Sequence, residues 1–185
     1  MPSLPRPLPG LLDGYRPQGE TEAADVARVR ALAETAEDPW LRSLSLHVTA
    51  SALIVHPESG RMLLRWHQRQ QAWLQVGGRA DPGESDPLAI AMREAAEETG
   101  LADLMPWPDA QIRHVVIVPV PAGRGEPAHE HADVRFALAT RTPASARPEN
   151  LDAPLRWLTP DAAREATSEA NLRDLLSRVQ RLLEE

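Results

Sequence analysis

The 185-residue sequence contains no cysteine, and its 20 basic residues are all arginine, with no lysine among them. The first absence excludes disulfides and thiolate metal sites. The second leaves guanidinium as the permanent cation of this chain, a group suited to bidentate contact with carboxylate or phosphate. Long apolar runs are missing too, and nothing approaches the ~18–20 residues needed to span a bilayer. The N-terminal stretch Met1–Pro7, MPSLPRP, lacks the continuous apolar segment of a secretory leader. A net charge of −7, with no long basic run, excludes a phosphate-tracking nucleic-acid surface. These absences together predict a cytoplasmic protein that binds neither nucleic acid nor membrane.

Periodicity supplies the elements. Residues 1–20 read as a Pro-rich extended arm that packs across a partner subunit in a homodimer, and 21–185 as one domain. A helix is expected over Thr21–Glu37, ending before Pro39. His47–His56 is rich in β-formers and turns through Pro57–Gly60 into Arg61–Trp66 as a hairpin. Trp73–Val76 is a short strand leading into Gly77-Gly78. Further strands are expected over Ile112–Val120, Val134–Arg141 and Leu155–Leu158, with a Gly/Pro/His loop from Pro121 to His131. Thr159-Pro160 caps a short helix, and Ser168–Glu184 is an amphipathic helix with Leu172, Leu175, Leu176 and Val179 on one side. Strands flanking a central helix, with helices at both ends, predict a sheet layered between helices, an α/β class.

The densest chemistry lies in residues 78–101, GRADPGESDPLAIAMREAAEETGL. Asp86-Pro87 reads as an N-cap followed by Pro at N1, and Gly100 as the residue just past the helix end, so a helix is expected from Pro87 to Thr99. Leu88, Ala91, Met92 and Ala95 form an apolar stripe on it, roughly opposite Glu94, Glu97 and Glu98. Glu94 and Glu98 stand one turn apart with like charge, which costs an isolated helix roughly 0.2–0.5 kcal/mol. A divalent cation would turn that repulsion into a site of hard oxygen ligands. A Glu pair on a helix, taken alone, is equally a solvated face.

The whole pattern resembles the Nudix box, G-x5-E-x7-R-E-U-x-E-E-x-G-U with U aliphatic. Gly78 and Glu84 match its front half, and Arg93 through Leu101 its back half, with eight residues instead of seven between Glu84 and Arg93. The extra residue falls in the loop ahead of the helix. Ala95 stands where a bulkier aliphatic is usual, and Val76 where many members have Pro before the two glycines. The resemblance implies an α/β/α sandwich with a mixed central sheet. It also implies a Mg²⁺-dependent hydrolase, with Mn²⁺ as a substitute, that cuts the phosphoanhydride of a nucleoside diphosphate derivative by water attack at phosphorus. Carried over residue by residue, it implies Glu94 and Glu98 as principal metal ligands, Glu97 as an additional one and the Gly77 carbonyl as a further one. Arg93 would pair with Glu84, and Glu84, Arg93, Glu94 and Glu98 would make up the catalytic set. The cation neutralises the phosphates and lowers the pKa of a bound water.

Substrate contacts are harder to assign. Arg79, Glu130 and Asp133 are candidates for them, as are Arg65, Arg69 and Arg135 for phosphate, and Glu126, Glu130 and Asp133 are the candidates for a distal carboxylate. His129, His131 and Asp133 share one side if the chain there is extended, a His-x-His-x-Asp set able to bind a transition metal or a phosphate. His47 and His56 flank the first strand and read as caps to it. Trp66 and Trp73 read as core or as a stacking surface for a base. Family substrate signatures are missing: Val118-Pro119 stands where diadenosine-polyphosphate hydrolases carry Tyr, and Val115-Val116-Ile117 where ADP-ribose hydrolases carry Pro. The bond type is thus implied without the substrate. The alternatives are a non-catalytic domain that senses a nucleotide or binds a protein, and a hydrolase of a non-nucleotide diphosphate such as an isoprenoid diphosphate.

Overall fold

The computed structural model of the chain describes residues 7–123 and 125–185. At its centre runs β1 (Leu46–His56), LHVTASALIVH. The even-numbered side chains of this strand, Val48, Ala50, Ala52 and Ile54, are all apolar and buried. The odd-numbered ones change character along the strand: His47, Thr49 and Ser51 are polar, whereas Leu53 and Val55 are apolar. Successive side chains point to opposite faces, so the face carrying Val48 to Ile54 is apolar there and the other is divided into a polar and an apolar half. β7 (His129–Ala139) runs parallel to β1 and repeats the division in register: His47 faces His131, Thr49 faces Asp133, Ser51 faces Arg135 and Leu53 faces Ala137.

Among the described residues, the remaining strands complete a mixed eight-stranded sheet. β2 (Arg61–His67) pairs antiparallel with the C-terminal end of β1, and β4 (Val76–Arg79) with its polar half, Thr49 opposite Arg79 and Ser51 opposite Gly77. β3 (Ala72–Leu74) and β8 (Leu155–Leu158) pair with β2. β5 (Met105–Pro106) and β6 (His114–Val120) pair with β7. On the apolar face, α1 (Leu8–Asp13), α2 (Glu20–Thr35) and α3 (Pro87–Thr99) share a core with Val48, Ala50, Val134 and Phe136. On the other face, α4 (Pro160–Ala166) and α5 (Ala170–Glu184) cover the apolar half, with Leu172, Leu175, Leu176 and Val179 packed against Leu53, Val55, Met62 and Leu64. This is the α/β arrangement expected, helices on both faces of a mixed sheet. Its polar half floors a cleft.

Where local signals are strong the expected elements appear unchanged. α3 has its expected ends: the Asp86 side chain accepts from the Leu88 and Ala89 amides at 3.0 and 3.4 Å, and Gly100 takes φ 67°. Thr159 caps α4 through the Ala162 amide. Elsewhere the bounds shift: the strand expected from Ile112 begins at His114, and the helix expected from Ser168 at Ala170. The helix expected over Thr21–Glu37 is Glu20–Thr35. The strand expected at Trp73–Val76 is broken at Gln75, because the chain there changes partner from β2 to β1. The strand expected at Val134–Arg141 begins at His129 and ends at Ala139, since pairing with β1 draws the polar segment His129–Asp133 out of the expected loop and into the sheet. Finally, the expected extended arm is not extended in its described part. Residues 1–6 lie outside the described residues, while Leu8–Asp13 is helical and buries Leu8 and Leu12 in the core of this same chain with Val26 and Val29. Pro9 does not prevent that helix because it sits in the first turn, where no amide hydrogen is required.

Candidate active site

α3 turns its carboxylates toward β4 and the loop that follows it. Arg93 is the hub. Its Nε and Nη2 donate to the two oxygens of Glu84 at 2.9 and 2.8 Å, and Nη2 also reaches the Arg79 carbonyl at 3.0 Å. Its Nη1 donates to Glu94 at 2.9 Å and to Glu97 at 3.2 Å. The Arg93–Glu84 pair is thus bidentate despite the additional residue between them, because Asp86 starts the helix after the insertion has been absorbed. Hydrogen bonding to Arg93 holds the Glu84 carboxyl below its ordinary range, against a smaller opposing effect of burial.

The glycines explain themselves by contact. A Cβ on Gly77 would lie 2.3 Å from the Ser51 Cβ and 2.6 Å from the Ala50 carbonyl, and Gly77 holds φ 150°. A Cβ on Gly78 would stand 2.6 Å from the Glu94 carboxylate. Glu94 is therefore pressed against bare backbone, and Glu98 accepts from the Gly77 amide at 3.0 Å. The other neighbour of Glu98 is Arg65, at 3.3 Å, which is shared with Glu149 at 3.5 Å. Burial pushes the Glu98 carboxyl up to about 7, outweighing Arg65 and the Gly77 amide, and Glu94 and Glu149 add repulsion. Burial raises Glu94 as well, with Arg93 opposing. Glu97 is the exposed member of the set, its side chain 55% accessible.

Gly77 and Gly78 also line the cleft, which has a volume of about 910 Å³. Its floor is the polar half of the sheet: Thr49, Ser51, His131, Asp133 and Arg135. All four arginines singled out as phosphate contacts, Arg65, Arg69, Arg79 and Arg135, line it. Each is held by a carboxylate. Arg79 makes a fork onto Glu126 with both bonds at 3.1 Å, Arg69 approaches Glu126 at 3.5 Å, and Arg135 donates to Asp133 at 2.8 Å. Asp133 is buried and saturated, also accepting from Thr49 at 3.1 Å, Ser51 at 2.8 Å and Gln75 at 3.3 Å. Burial alone would raise it, yet Arg135 and these hydroxyls bring its pKa below the ordinary value. Asp133 fixes Arg135 and the cleft floor. Glu130 points elsewhere: it alternates to the opposite face from His131 and pairs with Arg28 of α2 at 2.6 Å. Trp66 and Trp73 pack edge to face at 5.5 Å, with the Arg156 guanidinium 4.5 Å over Trp73.

The histidines hold the residue that the sequence misassigned. His47 does not cap β1. Its ring is buried at the polar end of the strand, stacked on His129 at 5.3 Å and edge-on to His131 at 4.9 Å. Burial lowers the pKa of His47, and lowers that of His131 to about 4. Sequence spacing finds His129 and His131. It cannot find His47, which joins them only through the parallel register of β1 and β7. His56 remains in its hairpin, 2.7 Å from Ser59.

The structure thus sets a mixed sheet between helices, with a capped helix presenting an Arg-clamped carboxylate set to a double glycine. The family model for the NUDIX domain matches residues 45–179, and the chain belongs to the Nudix hydrolase family. No curated protein matches the sequence. Among solved structures, a C. elegans Ap4A hydrolase binary complex is similar at TM-score 0.59 and 19% identity, covering 74% of this chain and 97% of that one. The E. coli dihydroneopterin triphosphate pyrophosphohydrolase is similar at TM-score 0.54 and 19% identity, covering 71% and 92%. The MutT protein of Bacillus halodurans follows at TM-score 0.51 and 20% identity, covering 72% and 81%. These likenesses are of fold.

Proposed function

We propose that residues 21–185 act as one catalytic unit that hydrolyses the phosphoanhydride bond of a nucleoside diphosphate derivative with Mg²⁺, water attacking phosphorus. The observation that carries this reading is the meeting of two charge patterns across Gly77-Gly78: α3 carboxylates pressed on the glycine backbone on one side, and four arginines lining the cleft on the other. The donor set fits a hard cation. Glu94, Glu97 and Glu98 with the Gly77 carbonyl supply oxygens only, and the missing Cβ at Gly78 lets Glu94 lie where it does. When bound, Mg²⁺ would neutralise phosphate charge and acidify a water. The chain's own residues do the remainder. Arg93 holds Glu84, Glu94 and Glu97 in register, and Arg65, Arg69, Arg79 and Arg135 attract the diphosphate. Asp133 keeps Arg135 aimed into the cleft. The fold neighbours that act on Ap4A and dihydroneopterin triphosphate support a nucleotide-derived substrate. The soluble, cytoplasmic setting and a homodimer belong to the same proposal.

The test is a panel of nucleotide sugars, dinucleotides, nucleoside di- and triphosphates and isoprenoid diphosphates with Mg²⁺, product phosphate being measured for the wild type beside Glu98→Gln. Turnover of a nucleotide derivative that the variant loses supports the reading. Turnover of isoprenoid diphosphates alone would change the substrate class. Absence of turnover across the panel, or equal activity in the variant, overturns the enzymatic reading.

A further inference from the structure

We propose that His47, His129 and His131 form a site for one divalent transition-metal ion of the zinc class at the end of the cleft, separate from the oxygen donors of α3. Among the described residues, these three are the His, Cys, Asp or Glu group whose ligand atoms all lie within 4.8 Å of one another. Two strands build it. His47 on β1 and His131 on β7 are register partners, and His129 lies on the same face of β7.

The hydrogen bonding around the rings shows what the cluster lacks. His47 Nδ1 lies 3.1 Å from the Leu44 carbonyl, and His129 Nδ1 lies 2.8 Å from the Pro127 carbonyl. A carbonyl only accepts, so each Nδ1 carries the hydrogen and each Nε2 presents a lone pair. His129 Nε2 and His131 Nε2 stand 3.1 Å apart. A hydrogen on His131 Nε2 satisfies one of the two other lone pairs and leaves the second unmatched. The unmatched atom is His47 Nε2, which is buried without a hydrogen-bond partner on a residue only 1% exposed. Buried polar atoms left in that state are uncommon and call for a partner. A single cation accepts all three lone pairs together.

Geometry and donor type select the ion. Nitrogens about 2.0–2.1 Å from a tetrahedral zinc stand roughly 3.3 Å apart, close to the His129–His131 separation. An Nδ1–H held by a backbone carbonyl is also the outer contact that orients imidazoles on metals. Three imidazoles with no carboxylate favour zinc, cobalt, nickel or copper over magnesium. His131 lines the cleft beside Arg79, so the cluster borders the space where an anion is drawn in.

The experiment uses untagged full-length protein stripped with a chelator and titrated with Co²⁺, then Zn²⁺. One equivalent of Co²⁺ should develop the visible bands of tetrahedral nitrogen coordination, Zn²⁺ should bleach them, and excess Mg²⁺ should leave them. His47→Gln should weaken Co²⁺ binding roughly 100-fold, and the half-exposed His129→Asn at least about tenfold. Glu98→Gln should leave the titration unchanged. Circular dichroism checks that each variant is folded. If the buried His47→Gln does not fold, His129→Asn decides. The proposal is overturned by a titration without a one-equivalent end point, by one that His129→Asn does not change, or by bands that vanish in Glu98→Gln instead.

Discussion

Glu22 and Glu98 are both carboxylates taken out of water by folding, and they end in opposite states. Glu22, on α2, is buried and surrounded by donors: the Tyr15 hydroxyl, the Gln18 amide at 2.6 Å, the Val115 amide at 3.1 Å, and the Arg178 Nη1 and Nη2 at 3.0 and 2.9 Å. Burial acts to raise its pKa, but these donors bring it down to about 2. Glu98, on α3, has one amide and a shared arginine, and sits at about 7. A buried anion whose every lone pair is matched is part of the scaffold, here tying α2 to α5 and β6. A buried anion left short of positive charge is a place for a cation to enter.

The comparison breaks most severely at Arg178. Replacing it by Met strands the Glu22 charge, and the expected loss of stability is about 3–5 kcal/mol, read from the urea midpoint. Arg65→Met should cost clearly less, because Glu98 can take up a proton near neutral pH instead. Equal losses would erase the distinction. Next comes activity. Glu98→Gln should lower hydrolysis by roughly 10²–10³-fold, the scale on which one preorganised charge contributes, while thermal unfolding stays the same or moves upward. A Glu98→Gln variant that retained activity and lost stability would make Glu98 a second Glu22.

pH sharpens the contrast through its sign. In chelator-treated protein the folded state holds the Glu98 proton between about 4.5 and 7 while the unfolded chain does not, so stability falls as pH rises through that window. For Glu22 the unfolded chain holds the proton between about 2 and 4.5, so stability is lost as pH falls through it. Each limb amounts to about 3 kcal/mol. Denaturant melts at stepped pH should show Glu98→Gln flattening the neutral limb and Glu22→Gln the acid one. If the two variants flatten the same limb, the assignment fails. The smallest effect is on stability alone: Asp86→Ala removes the α3 cap and should cost about 1 kcal/mol in a urea melt.

What the sequence makes legible follows the range of each signal. The limits of α3 are written within fifteen residues of one another, in Asp86-Pro87 and Gly100, and the structure reproduces them. The Arg93–Glu84 pair comes from the family resemblance instead, and the structure forms it. Glu22 passes unremarked, because a Glu at the start of a helix looks solvated until Arg178, 156 positions away, is placed beside it. His47 passes for a strand cap because its meaning depends on the register against β7. The helix Leu8–Asp13 is hidden by the prolines around it, which suggest extended chain until Pro9 is seen to occupy a first turn.

β1 is paired along both edges, to β2 and β4 on one side and β7 on the other. Strands enclosed in this way open only with the whole molecule, whereas a helix docked on one face can detach alone. The two halves of the cleft therefore differ in lifetime. The β1 amides of Thr49–Ala52, enclosed on both sides beneath the cleft, should belong to the slowest hydrogen-exchange class. Amides of α3, a helix docked on one face of the sheet, should exchange sooner.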